Sequence, residues 1–249
     1  DRQMIKYLVP TGAMAQLGVY GAITKIAVVM TLFTQMYRLA AEPFFLSNFR
    51  KEEFVESNAA ALKYYVMVAM AIFLFIALFR DLFALIVGRD FREGIFILPV
   101  VLGANVLSGV WFNLSFWYKR EEKTRFAIYV TFTGLLFTVV FNVALVPRWG
   151  YYGAAWARLI AEGAMVALSY TLNRRYFPTP YQTGRIATYV AAGLALFAAS
   201  DLFARHAGAP TAVQYVVNVL LIGIYCLYAV WREHIDVRAL AAAVVHRRR

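Results

Sequence analysis

Five ionisable residues stand out in this sequence because of where they fall. Arg2, Lys25, Arg38, Arg158 and Glu162 all lie in stretches that are otherwise apolar. A charge inside such a stretch is costly in a membrane, and it usually faces a bundle interior or an aqueous cavity. Lys25 is eight residues past Leu17, about 12 Å along a helix. Gly18, Gly21 and Ala22 accompany it at helical spacing. That small-residue face suits close helix packing or a cavity wall. The plainer reading is a lysine snorkelling to the nearer interface. A lysine lining a cavity, helped by Arg2, would bind an anion.

Two acid–base pairs share a helix face at four-residue spacing. Arg38 and Glu42 read either as an ordinary intrahelical pair or as a substrate gate. Arg158 and Glu162 lie deeper in their stretch. They read as a neutralising structural pair, with a coupling-ion or proton site as the sharper alternative. Asn105, Ser108 and Ser115 fall near one helix face, where they can hydrogen-bond between helices or contact a sugar.

Other chemistry has no footing. There is no phosphate-binding glycine loop, no His-Glu-x-x-His pattern and no Cys-x-x-Cys pair. His206, His234 and His246 lack the convergent spacing of a zinc site, so no metal or cofactor is expected. Cys226 is the single cysteine and reads as a small packing residue. No nucleophile and base stand together, which favours transport over catalysis.

The elements that must position these residues are membrane spans. Of 249 residues, 62% are hydrophobic and only 16% charged, against about 25% charged in a soluble domain. The segments Tyr64–Phe79, Gly94–Tyr118, Phe126–Pro147, Ile186–Ser200 and Ala207–Trp231 hold no Asp, Glu, Lys or Arg. A spanning helix needs about 20 apolar residues. The pattern predicts an all-α polytopic transmembrane bundle. A stub, Asp1–Val9, precedes seven spans: Leu17–Leu46, Lys63–Val87, Ile95–Tyr118, Phe126–Val146, Tyr151–Leu172, Ile186–Ala204 and Thr211–Trp231. Pro99 falls inside the third and predicts a kink. The opening at Asp1, with no methionine or leader, reads as a fragment cut within a span.

Basic residues orient the spans. One side collects Arg50, Lys51 and Lys63; then Lys119, Arg120, Lys123 and Arg125; then Arg174, Arg175 and Arg185. The tail adds Arg232, Arg238 and Arg247–Arg249 to that side. The other side has Arg80, Arg89, Arg92, Arg148 and Arg205. The positive-inside rule puts the richer side and the C-terminus in the cytoplasm. The net charge of +11 is thus spread over membrane-flanking loops, and nucleic acid is not an expected partner.

Several stretches, taken in order, resemble the polysaccharide-transport flippases. They are Leu17-Gly-Val-Tyr-Gly-Ala-Ile-Thr-Lys-Ile through Tyr37-Arg-Leu-Ala-Ala-Glu-Pro-Phe-Phe, and Asn113-Leu-Ser-Phe-Trp-Tyr-Lys with Lys123-Thr-Arg. Asn142-Val-Ala-Leu-Val-Pro-Arg-Trp-Gly-Tyr-Tyr-Gly-Ala-Ala-Trp-Ala and Arg175-Tyr-Phe-Pro-Thr-Pro-Tyr complete the set. This family belongs to the multidrug/oligosaccharidyl-lipid/polysaccharide exporter superfamily. Arg158 departs from the small or hydroxyl residue expected after Ala-Trp-Ala.

The resemblance implies two lobes around a central cavity. This chain would be the C-terminal lobe plus two extra C-terminal helices, with the N-terminal lobe missing. The implied divisions are a truncated helix end and outer loop at 1–16, a five-span bundle at 17–173, a cytoplasmic loop with two further spans at 174–231, and a basic cytoplasmic tail at 232–249. The implied substrate is an oligosaccharide on undecaprenyl pyrophosphate, flipped across the bacterial inner membrane for polysaccharide or lipopolysaccharide biosynthesis. Lys25, Arg2 and Arg38 would bind it. Two alternatives remain open. A membrane glycosyltransferase or polymerase would use Asp81, Asp90 and Glu93, and a multidrug exporter of the same superfamily would favour acidic cavity residues.

Overall fold

The computed structural model describes residues 2–48, 53–206 and 210–233. Arg50, Lys51 and the tail from His234 onward, with His246 and the terminal arginines, lie outside the described residues. No strand is present among the described residues. The helices are α1 (Arg2–Leu8), α2 (Ala13–Ile26), α3 (Val28–Asn48), α4 (Phe54–Leu78) and α5 (Arg80–Ala84). A 3-10 segment, Arg89–Ile97, leads into α6 (Leu98–Leu114) and α7 (Phe116–Arg120). They are followed by α8 (Arg125–Trp149), α9 (Tyr151–Tyr176), α10 (Thr183–His206) and α11 (Thr211–Glu233).

Among the described residues, five helical segments are long and apolar enough to cross a membrane, or six if the bent pair α2 and α3 is one span. The count of seven expected from sequence falls short by α9. It has the length, but Arg158 and Glu162 lower its apolar character. Packing compensates: α9 is clasped by α6 on one side and α8 on the other. The α8–α9 turn is a single residue, Gly150, at φ 56° and ψ −131°. Only glycine adopts that conformation easily. A Cβ there would also collide with the Gln16 carboxamide, whose Oε1 accepts from the Tyr151 N–H at 3.1 Å.

Three boundaries differ from the sequence reading. The span expected at Leu17–Leu46 is broken at Ala27, where α2 and α3 meet at 53°. Thr24 and Thr31 donate their hydroxyls back to the carbonyls of Tyr20 and Ala27, at 2.7 and 3.3 Å. Such back-bonding competes with the helical ladder and bends helices. Pro99 is not a mid-span kink. It sits in the first turn of α6, where its missing N–H costs nothing. Lys63 is not a loop residue. It lies well inside α4 and is buried.

The helix ends sort into two sets, as the loop charges suggested. At the basic end, Lys63 of α4 pairs with Glu233 of α11, and Arg185 joins them at 3.5 Å. Lys119 meets Glu42 at 2.7 Å. The Arg120 guanidinium lies over both Phe54 and Phe177. At the opposite end, Arg80 reaches Asp201 at 2.8 Å, and Asn218 donates to the Leu78 carbonyl at 2.7 Å. These contacts tie α10 and α11 onto α4 and α5. Cys226 is exposed on α11 rather than packed inside. The exposed apolar residues of α8, among them Ile128, Phe132, Leu135 and Val139, make a face suited to lipid.

Candidate functional site

Two polar regions hold the residues that the sequence singled out. The first is a cavity of about 540 Å³ walled by α1, α2, the start of α3 and the segment after α5. Arg2, Gly18, Gly21, Ala22 and Lys25 line it, with Phe83 and Phe91 across from them. The small residues create the space: Gly18 abuts the Phe91 ring, and Gly21 faces open volume. Lys25 is exposed to this space. It sits twelve residues into α2, about 18 Å from the helix start, two residues before the break at Ala27. The lining holds two cations and neither Asp nor Glu. Arg2 and Lys25, more than twenty residues apart in sequence, therefore share one cavity. Arg38 is not in it.

The second region is a row of hydrogen bonds inside the bundle. Arg158 Nη2 donates to Asn105 Oδ1 at 2.7 Å. Asn105 Nδ2 turns toward the broken helix, donating to Thr31 Oγ1 at 3.2 Å and to the Ala27 carbonyl at 3.5 Å. Arg158 and Arg2 both act electrostatically on the Tyr20 phenol. Tyr20 thus stands between the row and the cavity. Glu162 is one turn beyond Arg158 and makes no matching ion pair. Its Oε2 is buried with no hydrogen-bond partner among the described residues. Arg158 and then Arg38 act on it electrostatically, and the Trp111 indole faces it without reaching hydrogen-bond geometry. The Arg38 guanidinium itself packs on the Phe112 ring at 4.6 Å.

The two i, i+4 pairs expected from sequence are therefore both re-partnered. Glu42 goes to Lys119 of α7, and Arg158 goes to Asn105 of α6. Helical spacing allows such pairs, but a better acceptor or donor on a neighbouring helix wins. Asn105 does bond between helices. Ser115 instead caps its own turn at Phe112, so the three polar residues of that face do not form one site. Asp81, Asp90 and Glu93 do not converge with His or Cys into any metal-binding group among the described residues.

Sequence reasoning missed two features. One is the buried Lys63–Glu233 pair, also reached by the Tyr189 phenol at 2.6 Å. Its partners are far apart in sequence, and no local pattern joins them. The other is a second cavity of about 560 Å³ between α4, α6, α9 and α10, lined by Met70, Pro99, Leu107, Trp156 and Leu194 among other apolar residues. It suits hydrocarbon and offers no group for a charge. Near the basic end, Asn58 donates to the buried Tyr181 phenol at 3.1 Å. Burial pushes that phenol above its ordinary range, which leaves it a neutral hydrogen-bonding group. No protein-family model, curated protein or solved structure matches the chain.

Proposed function

We propose that this chain is the C-terminal lobe of a transporter that flips undecaprenyl-pyrophosphate-linked oligosaccharide across the bacterial inner membrane. The observation that carries the reading is the cavity shared by Lys25 and Arg2. It offers two positive charges, no acid and a small-residue wall. A sugar entering hydrocarbon loses its water hydrogen bonds, each costing several kcal/mol if unreplaced. A polar cleft replaces them while the lipid tail stays in the bilayer. Fixed cations offset the pyrophosphate charge. A second lobe rocking against this one would expose the cleft to each side in turn. The lining disfavours export of cationic drugs, which calls for acidic residues instead. The process is transport without catalysis, cofactor or nucleic acid, and it serves polysaccharide or lipopolysaccharide synthesis.

In this reading the basic end and the C-terminus face the cytoplasm. Cysteines placed at Arg120 and Arg148 test the orientation: an impermeant reagent added to intact cells should label position 148 and spare 120. The site itself is tested by binding of undecaprenyl pyrophosphate in nanodiscs. A charge-assisted contact contributes about 1.5–3 kcal/mol, or roughly 10- to 150-fold in affinity. Lys25→Gln should weaken binding by that factor, and Lys25→Arg much less. Unchanged affinity in a folded Lys25→Gln protein would leave Lys25 as a helix anchor and remove the reading's support.

A further inference from the structure

Glu162 is the one acid in the middle of α9, and the cavity does not use it. Its Oε2 is shut away from solvent with no partner, while the nearest guanidinium on its own helix is committed to Asn105. A carboxylate left in that condition is unstable, because a buried charge needs pairing or hydrogen bonds. A neutral carboxyl is not. Asn105, in turn, bonds at the Ala27 break, to Thr31 Oγ1 and the Ala27 carbonyl.

We propose that Glu162 is a proton-binding site, and that its occupancy decides whether Arg158 holds Asn105 or Glu162. With the proton on, the carboxyl is neutral, Arg158 stays on Asn105, and Asn105 keeps its donors on the break. With the proton off, the carboxylate draws Arg158, one turn away on the same face. Asn105 then loses its guanidinium, and its carboxamide is free to leave Thr31 and Ala27. The only covalent change is an O–H bond formed and broken with water. The arrangement described above, with Arg158 away from Glu162, is the proton-bound form.

The surroundings favour a proton over a metal ion. From α9 itself Arg158 acts on Glu162, and from α3 Arg38 does. Two guanidinium groups repel a second cation, and α6 offers only the Trp111 indole. From α4 the Tyr65 phenol interacts with Glu162, but that phenol is tied to Thr34 Oγ1 at 3.1 Å. On α2 the Tyr20 phenol is acted on by Arg158, and on α1 Arg2 acts on Tyr20. α8 carries ionisable groups only toward its ends, at Arg125, Tyr129 and Arg148. Desolvation favours the acid, and the guanidinium charges favour the carboxylate. The site does not depend on what the Lys25 cavity carries.

The test uses the whole chain in lipid nanodiscs, labelled with carboxyl-13C glutamate and titrated by infrared spectroscopy. One protonated-carboxyl band should persist at tenfold or more lower proton concentration than the other glutamates, and Glu162→Gln should abolish it. Glu162→Asp should keep a titrating band, which separates loss of the site from loss of fold. Spin labels at Met14 and Leu39, in a Cys226→Ser background, report the bend at Ala27. Their separation should shift over the same pH range, and Glu162→Gln or Asn105→Leu should lose that shift. A persistent band that survives Glu162→Gln, or the absence of any such band, overturns the site. A bend whose pH response survives Glu162→Gln overturns the link to Asn105.

Discussion

Two of the carboxylates carried by the long helices, Glu233 and Glu162, sit under opposite conditions. Glu233 ends α11 with every neighbour committed to it. Lys63 is its ion-pair partner, Arg185 approaches at 3.5 Å and the Tyr189 phenol donates at 2.6 Å. Its side chain is 2% exposed, so the charge is affordable only because it is fully satisfied. Glu162 in α9 has an oxygen with no partner, although two arginines act on it. The first carboxylate fastens three helices together. The second is a poor fastener, and a group that is poor at holding structure while sitting beside a helix break is better placed to respond than to support.

Five substitutions, alone or paired, test this contrast, in falling order of expected effect. Lys63→Met leaves Glu233 buried without its main partner. Removing one member of a buried pair costs about 3–5 kcal/mol, so unfolding in mixed micelles should show a loss of that size. Adding Glu233→Gln to Lys63→Met should recover much of it. Arg158→Leu removes a charged hydrogen bond to Asn105 and should cost about 1.5–3 kcal/mol in the same assay. Glu162→Gln should cost less than either, because no ion pair is lost. At a pH where Glu162 holds its proton, the double change of Arg158→Leu with Glu162→Gln should then be no more stable than Arg158→Leu alone. A clear rescue in the double would mean that the two residues do pair and that the contrast is wrong. Glu42→Gln should have the smallest effect. Its pair with Lys119 is 31–45% exposed at the side chains, and exposed pairs contribute about 0.2–1 kcal/mol.

Five or six of the seven expected spans were legible because uncharged runs of bilayer length stand out by themselves. The Lys25 neighbourhood was legible for a similar reason: Gly18, Gly21, Ala22 and Lys25 are local in sequence, and helical spacing puts them on one wall. What the sequence concealed was set by distant partners. Nothing near Lys63 announces Glu233, so Lys63 looked like a loop residue. The Ala27 break has no proline or glycine to mark it. Its causes are two threonine hydroxyls, with Asn105 on a helix distant in sequence. The four-residue spacing of Arg158 and Glu162 was real, but spacing states only which side chains can meet. Asn105 was the competitor that decided the outcome.

The tight joint at Gly150 also bears on how the protein is assembled. A charge at a helix centre costs about 2.5–3.5 kcal/mol on insertion, and α9 carries two, Arg158 and Glu162, so it is a poor candidate to enter a bilayer unaided. Its neighbour α8 is apolar enough to do so. With one residue between them, α9 must follow α8 as the second arm of a hairpin. Its Arg158 then finds Asn105 on α6. Both α6 and α8 are made before α9, so the nascent chain lays down the shelter for its most polar helix before that helix leaves the ribosome.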